Sequence, residues 1–425
     1  MGDKMEIGII GLGDMGKMYA KIFSNAGYRV NGCDLPQKRH ILEQELSGTN
    51  IRLFDDGVSV ARRSDVIFYA VEAENIDSVV RQFGPSTKKG AIVSGLTSVK
   101  TPEILAFEKY LPKDVNIVTC HSLHGPKVSP IGESLAVIRH RSHDSAYNRA
   151  VSVFEKLGSK IIEIPTYEMH DRITADTQAV THLGFESMGV AWKNAGIFPW
   201  ENASYVGGID TVKILMTLRI FSGKAHVYCG LAILNPFAKE QIRQYATSES
   251  ELFKLMIQED EKKFRDRLKK ASDFVFSNNE SHILLDDKIM GEFSLGNKKE
   301  RKPNSHLSLL SMIDAWHKLK INPYNNMICQ TPLFRLRLGI AEYLFKHFDL
   351  LEESINTALF DKSIRGDDLE FHTAVREWAS IICNEDVTGY KNQFDSAKYF
   401  FKDRLLDGVN RSNELIKILK KGILI

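Results

Sequence analysis

The chain has 425 residues, a formal net charge of +2, and 43% apolar against 26% charged residues. That length and composition suit two or three globular domains with a sizeable core and exclude a disordered chain. The nearly balanced charge excludes a broad electrostatic footprint for nucleic acid, but a few local arginines can still hold small anions.

In chain order, Glu6–Ile10, Tyr28–Cys33, Val66–Val71, Ala91–Ser94, Asn116–Thr119, Leu135–Ile138 and Ile161–Glu163 read as strands alternating with helices. Gly, Asp and Pro punctuate them, as a parallel sheet with crossover helices requires. From about Tyr167 the period becomes helical, over Asp171–Ala195, Ile209–Asn235 and Pro236–Ser277, with no convincing strand. A polar stretch from Ser277 to Ser305, including Lys298-Lys299-Glu300-Arg301-Lys302, reads as a loop or linker, and further helices run from His306 to Leu419. The expected architecture is α/β at the N-terminus and all-helical beyond. Its domains are a Rossmann-type dinucleotide-binding domain over 1–166, a helical substrate-binding and dimerisation domain over 167–277, and a helical C-terminal extension over 278–425.

The five cysteines (Cys33, Cys120, Cys229, Cys329, Cys383) are scattered, odd in number and never in a CxxC pair. This pattern predicts a reducing compartment, with neither a disulfide framework nor a zinc site, so the sequons at Asn202 and Asn279 carry no meaning. No stretch approaches the roughly 20 apolar residues of a membrane span. The first strand begins near Met5, too early to leave room for a signal peptide. A soluble cytoplasmic protein without bound metal is expected.

Gly11-Leu12-Gly13-Asp14-Met15-Gly16 follows the first strand directly and opens a helix. In that context the first glycine allows the tight turn, the second lets backbone approach a pyrophosphate, and the third packs helix against strand. Asp34 ends the second strand, where a carboxylate suits the ribose diol of NAD and repels the 2′-phosphate of NADP. Lys38 and Arg39 follow and can neutralise such a phosphate, so the residues leave the choice of dinucleotide open. Val71, at the end of the Val66–Val71 strand, completes the expected cofactor contacts.

Ligands in open α/β sheets bind at the carboxyl ends of strands, which singles out Ser98 and His121. An imidazole there can take a hydroxyl proton near neutral pH, and Ser98 can orient it or the substrate hydroxyl. In the helical half, Asp171, Ala175, Gln178 and His182 share one helical face, suited to lining a site or to facing solvent. At about 100° per residue, Arg219 falls among Val212, Leu215 and Met216, away from Asp210, Lys213 and Thr217. A guanidinium on an apolar face needs an anionic partner, either a structural carboxylate or one carried by a substrate.

Together these segments resemble the prephenate dehydrogenase family. The glycine-rich N-terminus, Ser98-Val99-Lys100, His121 with Gly125-Pro126, His170-Asp171, Gln178 to His182 and Arg219-Ile220-Phe221 occur in the family's order. The runs at 121–128, 173–182 and 303–310 resemble its fungal, NADP-dependent branch, and the likeness covers essentially the whole chain. The resemblance implies that His121 hydrogen-bonds the C4 hydroxyl of prephenate and accepts its proton, with Ser98 beside it. It further implies that Gln178 and His182 line the substrate pocket, that Arg219 binds a prephenate carboxylate, and that NADP is the cofactor. The product would be 4-hydroxyphenylpyruvate, on the route to tyrosine, and the enzyme a homodimer. Ser122 departs from the bacterial pattern, which has proline after the catalytic histidine. Arogenate dehydrogenation is the same chemistry on an aminated side chain, and a dinucleotide sensor without catalysis is the alternative from another class.

Overall fold

In the computed structural model, residues 5–126, 128–201, 207–276, 284–292 and 302–421 are described. Lys127, both sequon asparagines and the run from Lys298 to Arg301 lie outside them. The chain forms two compact units, one of residues 1–174 with Leu234–Pro236, the other of the remaining residues.

The first unit is built on one eight-stranded sheet. Its strands are β1 (Glu6–Ile10), β2 (Arg29–Cys33), β3 (Ile51–Leu53), β4 (Val66–Tyr69), β5 (Ile92–Gly95), β6 (Asn116–Ser122), β7 (Ser134–Arg141) and β8 (Lys160–Glu163), in the order β3-β2-β1-β4-β5-β6-β7-β8. The six strands from β3 to β6 run parallel, with β1 paired to both β2 and β4, so the order reverses beside β1. Two expectations need correction here. β7 runs antiparallel to β6, so the sheet is not wholly parallel, and β3 is an additional short edge strand. With only three residues and none fully buried, β3 leaves no apolar run to read.

Each central strand is buried on both faces, as crossover helices demand. Ile7, Ile9, Phe68 and Val118 pack on one side with Tyr19, Phe23 and Phe154, while Ile10, Ile67, Tyr69 and Val93 pack on the other with Val60, Val80 and Phe107.

The described residues of the second unit contain no strand. A helical run continues from the first unit through a π-helical turn, Ala175–Val180, into helix Thr181–Ala195, whose residues are buried from Thr181 to Trp192. This helix packs on Arg365–Cys383 and on Gly208–Phe221, and Leu405–Lys421 lies along Gly208–Phe221. The two longer helical readings break where the backbone demands it: Ser222–Lys224 separates Gly208–Phe221 from Ala225–Ile233, and Glu259, at φ +52°, ends Ala238–Gln258. The polar stretch is no uniform linker either. Asp287–Glu292 is a helix, Leu285 and Met290 are buried, and Asn304 and Ser305 are buried and hydrogen-bonded. Few apolar residues among many charges concealed those anchors.

Candidate active site

The glycine turn has the geometry that its spacing implies. Gly11 sits at φ +98°, and a Cβ there would meet the Ala70 carbonyl oxygen at 2.5 Å, with a Val71 methyl close by. A Cβ on Gly16 would lie 2.0 Å from the Gly11 carbonyl oxygen, whereas one on Gly13 would meet nothing within 4 Å. Helix Asp14–Asn25 therefore packs tightly on β1 while the backbone at Gly13 faces open space, and no side chain caps the helix N-terminus. A pyrophosphate fits such a cradle. Asp34 accepts the Leu12 N–H at 2.7 Å and the Leu35 N–H at 2.7 Å, and Lys38 pairs with it at 3.2 Å. Arg39, next in the chain, pairs with Glu43 and Asp55.

His121 lies within β6, because the strand runs on to Ser122, past the expected end at Thr119. It remains at the carboxyl end, and its buried imidazole is oriented by a group that sequence reasoning did not assign. His121 Nδ1 lies 2.9 Å from His170 Nε2, and His170 Nδ1 lies 2.8 Å from Asp171 Oδ1. Asp171 in turn accepts the backbone N–H of Lys100 at 2.8 Å and of Thr101 at 2.7 Å, at the start of helix Lys100–Tyr110, and Asn235 donates to its carbonyl. Of the two roles expected of Ser98, orienting His121 or the substrate hydroxyl, the first is met at Nδ1 by His170. Ser98 is half-buried in the turn after β5 and makes no hydrogen bond among the described residues, while His121 Nδ1 is already occupied. Adjacent His170-Asp171 was visible as a motif, but nothing in its spacing linked it to a residue 49 positions away.

Burial, then the neighbouring His170, Lys100 and His124, hold the His121 pKa well below the usual imidazole value, so the ring is neutral at physiological pH. Lys100 is fully buried, and its ammonium reaches Glu103 at 3.1 Å, the Gly95 carbonyl at 3.1 Å and Thr119 Oγ1 at 3.2 Å. Glu103 also takes the Thr97 hydroxyl, and this cluster pins the turn that carries Ser98. Ser122, the residue that departs from the bacterial pattern, shares a hydrogen bond with Tyr19 at 2.7 Å, tying the end of β6 to the nucleotide helix.

The second unit carries Gln178, His182 and Arg219. Gln178 lies in the π turn, which later segments brace: Asp176 accepts Trp316 Nε1 and Asn326 Nδ2, each at 2.7 Å, and Arg337 donates to the Val180 carbonyl at 2.8 Å. Gln178 Nε2 and His182 Nδ1 are buried without hydrogen-bond partners among the described residues. Burial, with Arg337 nearby, lowers the His182 pKa to about 3, and its ring meets Tyr228 edge-on at 4.9 Å. The stripe is therefore interior and not solvated. It is also not one regular face, because the π turn widens the helix between Ala175 and Val180.

Helix Gly208–Phe221 is buried on all sides from Ile209 to Leu218, Asp210, Lys213 and Thr217 included, and Arg219 alone after Gly208 keeps some exposure. The apolar-face argument for Arg219 is corrected accordingly. Its NH1 donates to Ser412 Oγ at 3.0 Å and Asn413 Oδ1 at 2.7 Å, both neutral, and no structural carboxylate pairs with it among the described residues. Four positions further along the His182 helix, Glu186 takes the Tyr390 hydroxyl at 2.8 Å, and burial raises its pKa to about 8.

No described helix is long and apolar enough to cross a membrane. Residues 179–421 match the TYR1-like family model "6-phosphogluconate dehydrogenase C-terminal domain", and residues 6–97 match "NADP oxidoreductase coenzyme F420-dependent". The chain is 46% identical over 100% of its length to a probable prephenate dehydrogenase [NADP(+)] of Schizosaccharomyces pombe, covering 99% of that protein. It is 49% identical to the prephenate dehydrogenase [NADP(+)] of Saccharomyces cerevisiae, over 97% of this chain and 93% of the other. A crystal structure of prephenate dehydrogenase from A. aeolicus, with hydroxyphenyl propionate and NAD+, shares the fold at 16% identity and a TM-score of 0.50, over 62% of this chain and 95% of that one. The chain belongs to the prephenate dehydrogenase family, in its fungal NADP-dependent branch.

Proposed function

We infer that this chain oxidatively decarboxylates prephenate to 4-hydroxyphenylpyruvate with reduction of NADP, a step of tyrosine biosynthesis. The observation that carries this reading is identity at 46% across the entire chain with a protein of that name. NADP, when bound, supplies the hydride acceptor, held by the turn Gly11-Leu12-Gly13-Asp14-Met15-Gly16 with Asp34, Lys38, Arg39 and Val71 around it. The pairing of Asp34 with Lys38 and with two backbone amides removes much of the repulsion a bare carboxylate would offer a 2′-phosphate.

His121, neutral and buried, accepts the proton of the ring hydroxyl, with Ser98 at the adjacent strand end. Gln178 and His182 contribute the unpartnered polar atoms that a polar substrate can satisfy. Arg219, held among the described residues by the neutral Ser412 and Asn413, supplies the charge for a prephenate carboxylate. The work of the protein is alignment, exclusion of water and custody of one proton; loss of CO₂ makes the step irreversible. The enzyme acts as a cytoplasmic homodimer that pairs through its helical portion.

The test is absorbance at the reduced-nicotinamide band, with prephenate and arogenate each offered alongside NADP and NAD. Turnover of prephenate with NADP well above the other three combinations is expected. Preference for arogenate would overturn the substrate, and no reduction with either would overturn catalysis.

A further inference from the structure

We propose that His170 is a positioning residue which, braced by Asp171, sets the tautomer of His121 and receives its charge during turnover. This rests on His121 acting as the base. Both Asp171 oxygens already accept backbone N–H groups, Oδ1 that of Lys100 and Oδ2 that of Thr101. The carboxylate is thus an acceptor toward His170, and the His170 nitrogen 2.8 Å away, Nδ1, must carry hydrogen. In the neutral ring, Nε2 of His170 then offers a lone pair to His121 Nδ1 at 2.9 Å. Only one of two facing nitrogens can hold the hydrogen between them. His121 is therefore protonated on Nδ1 and carries its lone pair on Nε2, which has no partner among the described residues. That is the tautomer a base working through Nε2 requires.

The same chain of bonds resolves a difficulty. Burial, then the neighbouring His170, Lys100 and His124, disfavour an imidazolium at position 121, even with Glu103 beside Lys100. When the substrate O–H breaks, its electron pair closes the C=O bond as the C4–H bond breaks and its hydride leaves for NADP, and the proton forms an N–H bond at His121 Nε2. The hydrogen on Nδ1 passes to His170 Nε2, and His170 keeps its other hydrogen on Asp171. The positive charge then rests against a carboxylate, one ring away from Lys100 and His124. As the ring becomes aromatic the transfers reverse and oxygen recovers its proton, so none is gained or lost overall.

His170→Asn in the full-length enzyme with NADP tests the relay. We expect kcat to fall about 100-fold, with the prephenate KM held within about threefold. The acid limb of the kcat profile should also move to lower pH, because the partner that stabilises the cation is gone. Free imidazole should restore about a tenth or more of the lost rate to His170→Gly by refilling the site, which loss of mere packing would not allow. Wild-type kcat and pH profile in His170→Asn would overturn the relay and leave the reaction standing; failure of the unsubstituted chain to reduce NADP with prephenate would remove the reaction itself. Nitrogen-15 spectra of the unsubstituted enzyme decide the point should the variants not fold. Hydrogen on His121 Nδ1 supports the assignment, and hydrogen on Nε2 overturns it.

Discussion

The candidate site residues of the two units are held in different ways. In the first, the imidazole of His121 is locked through His170 to Asp171 and two helix amides, and the Lys100 ammonium meets Glu103, Gly95 and Thr119. In the second, among the described residues, Gln178 Nε2 and His182 Nδ1 have no partner, and Arg219 has neutral ones. A saturated network is rigid and holds a reacting group in one geometry, whereas buried unsatisfied donors cost free energy until a ligand meets them. On the proposed function, the contrast sets proton transfer by His121 in the first unit against substrate binding by Gln178, His182 and Arg219 in the second.

That division can be broken most sharply at His121. His121→Asn should lower kcat about 1,000-fold while the prephenate KM changes little, since it removes the proton acceptor and not the binding groups. A variant with near-normal kcat would take His121 out of the reaction.

Within the first unit, Gly16→Ala forces a methyl to within 2.0 Å of the Gly11 carbonyl, and melting should show a loss of about 1–3 kcal/mol together with weak NADP binding. Gly13→Ala provides the contrast. Its backbone, at φ −68°, accepts any residue and its Cβ meets nothing, so stability should hold while the KM for NADP rises. Equal melting losses in the two variants would refute the reading of Gly13 as the ligand-facing position.

In the second unit, Arg219→Ala should raise the prephenate KM about 10- to 100-fold with a smaller change in kcat, as loss of a charge-assisted contact does. A fall in kcat alone would place Arg219 with the reacting groups instead.

The smallest effect is a pH dependence of stability. Glu186 has its folded-state pKa raised from the ordinary value of 4.5 to about 8 by burial, so the folded state binds the proton more tightly than the unfolded one. Its contribution is complete below about pH 4.5 and is lost as pH rises toward 8. Melting of Glu186→Gln should lack this decline and exceed the unsubstituted chain above pH 8 by a few degrees. Parallel profiles would show that the carboxyl is ionised in the fold.

Much of the first unit was legible in the residues. Seven of the eight strands were read nearly in place, because strands buried on both faces write continuous apolar runs into the sequence. The glycine turn was legible for a related reason, since positive φ and close approach leave glycine as the residue that fits. The antiparallel turn of β7 was not, because pairing direction leaves no mark on a single strand. In the second unit, periodicity announced helices but could not reveal the π turn at Ala175–Val180, which Trp316, Asn326 and Arg337 brace from far along the chain.

The sequence by itself determined the fold class, the dinucleotide turn and the candidate base, for each is written in local spacing or in long family-specific runs. Only the tertiary structure decided what each polar group touches: His170 hydrogen-bonded to His121, and Ser412 with Asn413 on the Arg219 guanidinium. The physical reason is that backbone preference and burial act over a few neighbouring residues. A buried hydrogen bond, in contrast, is satisfied by whichever donor or acceptor the packing of distant segments brings within about 3 Å.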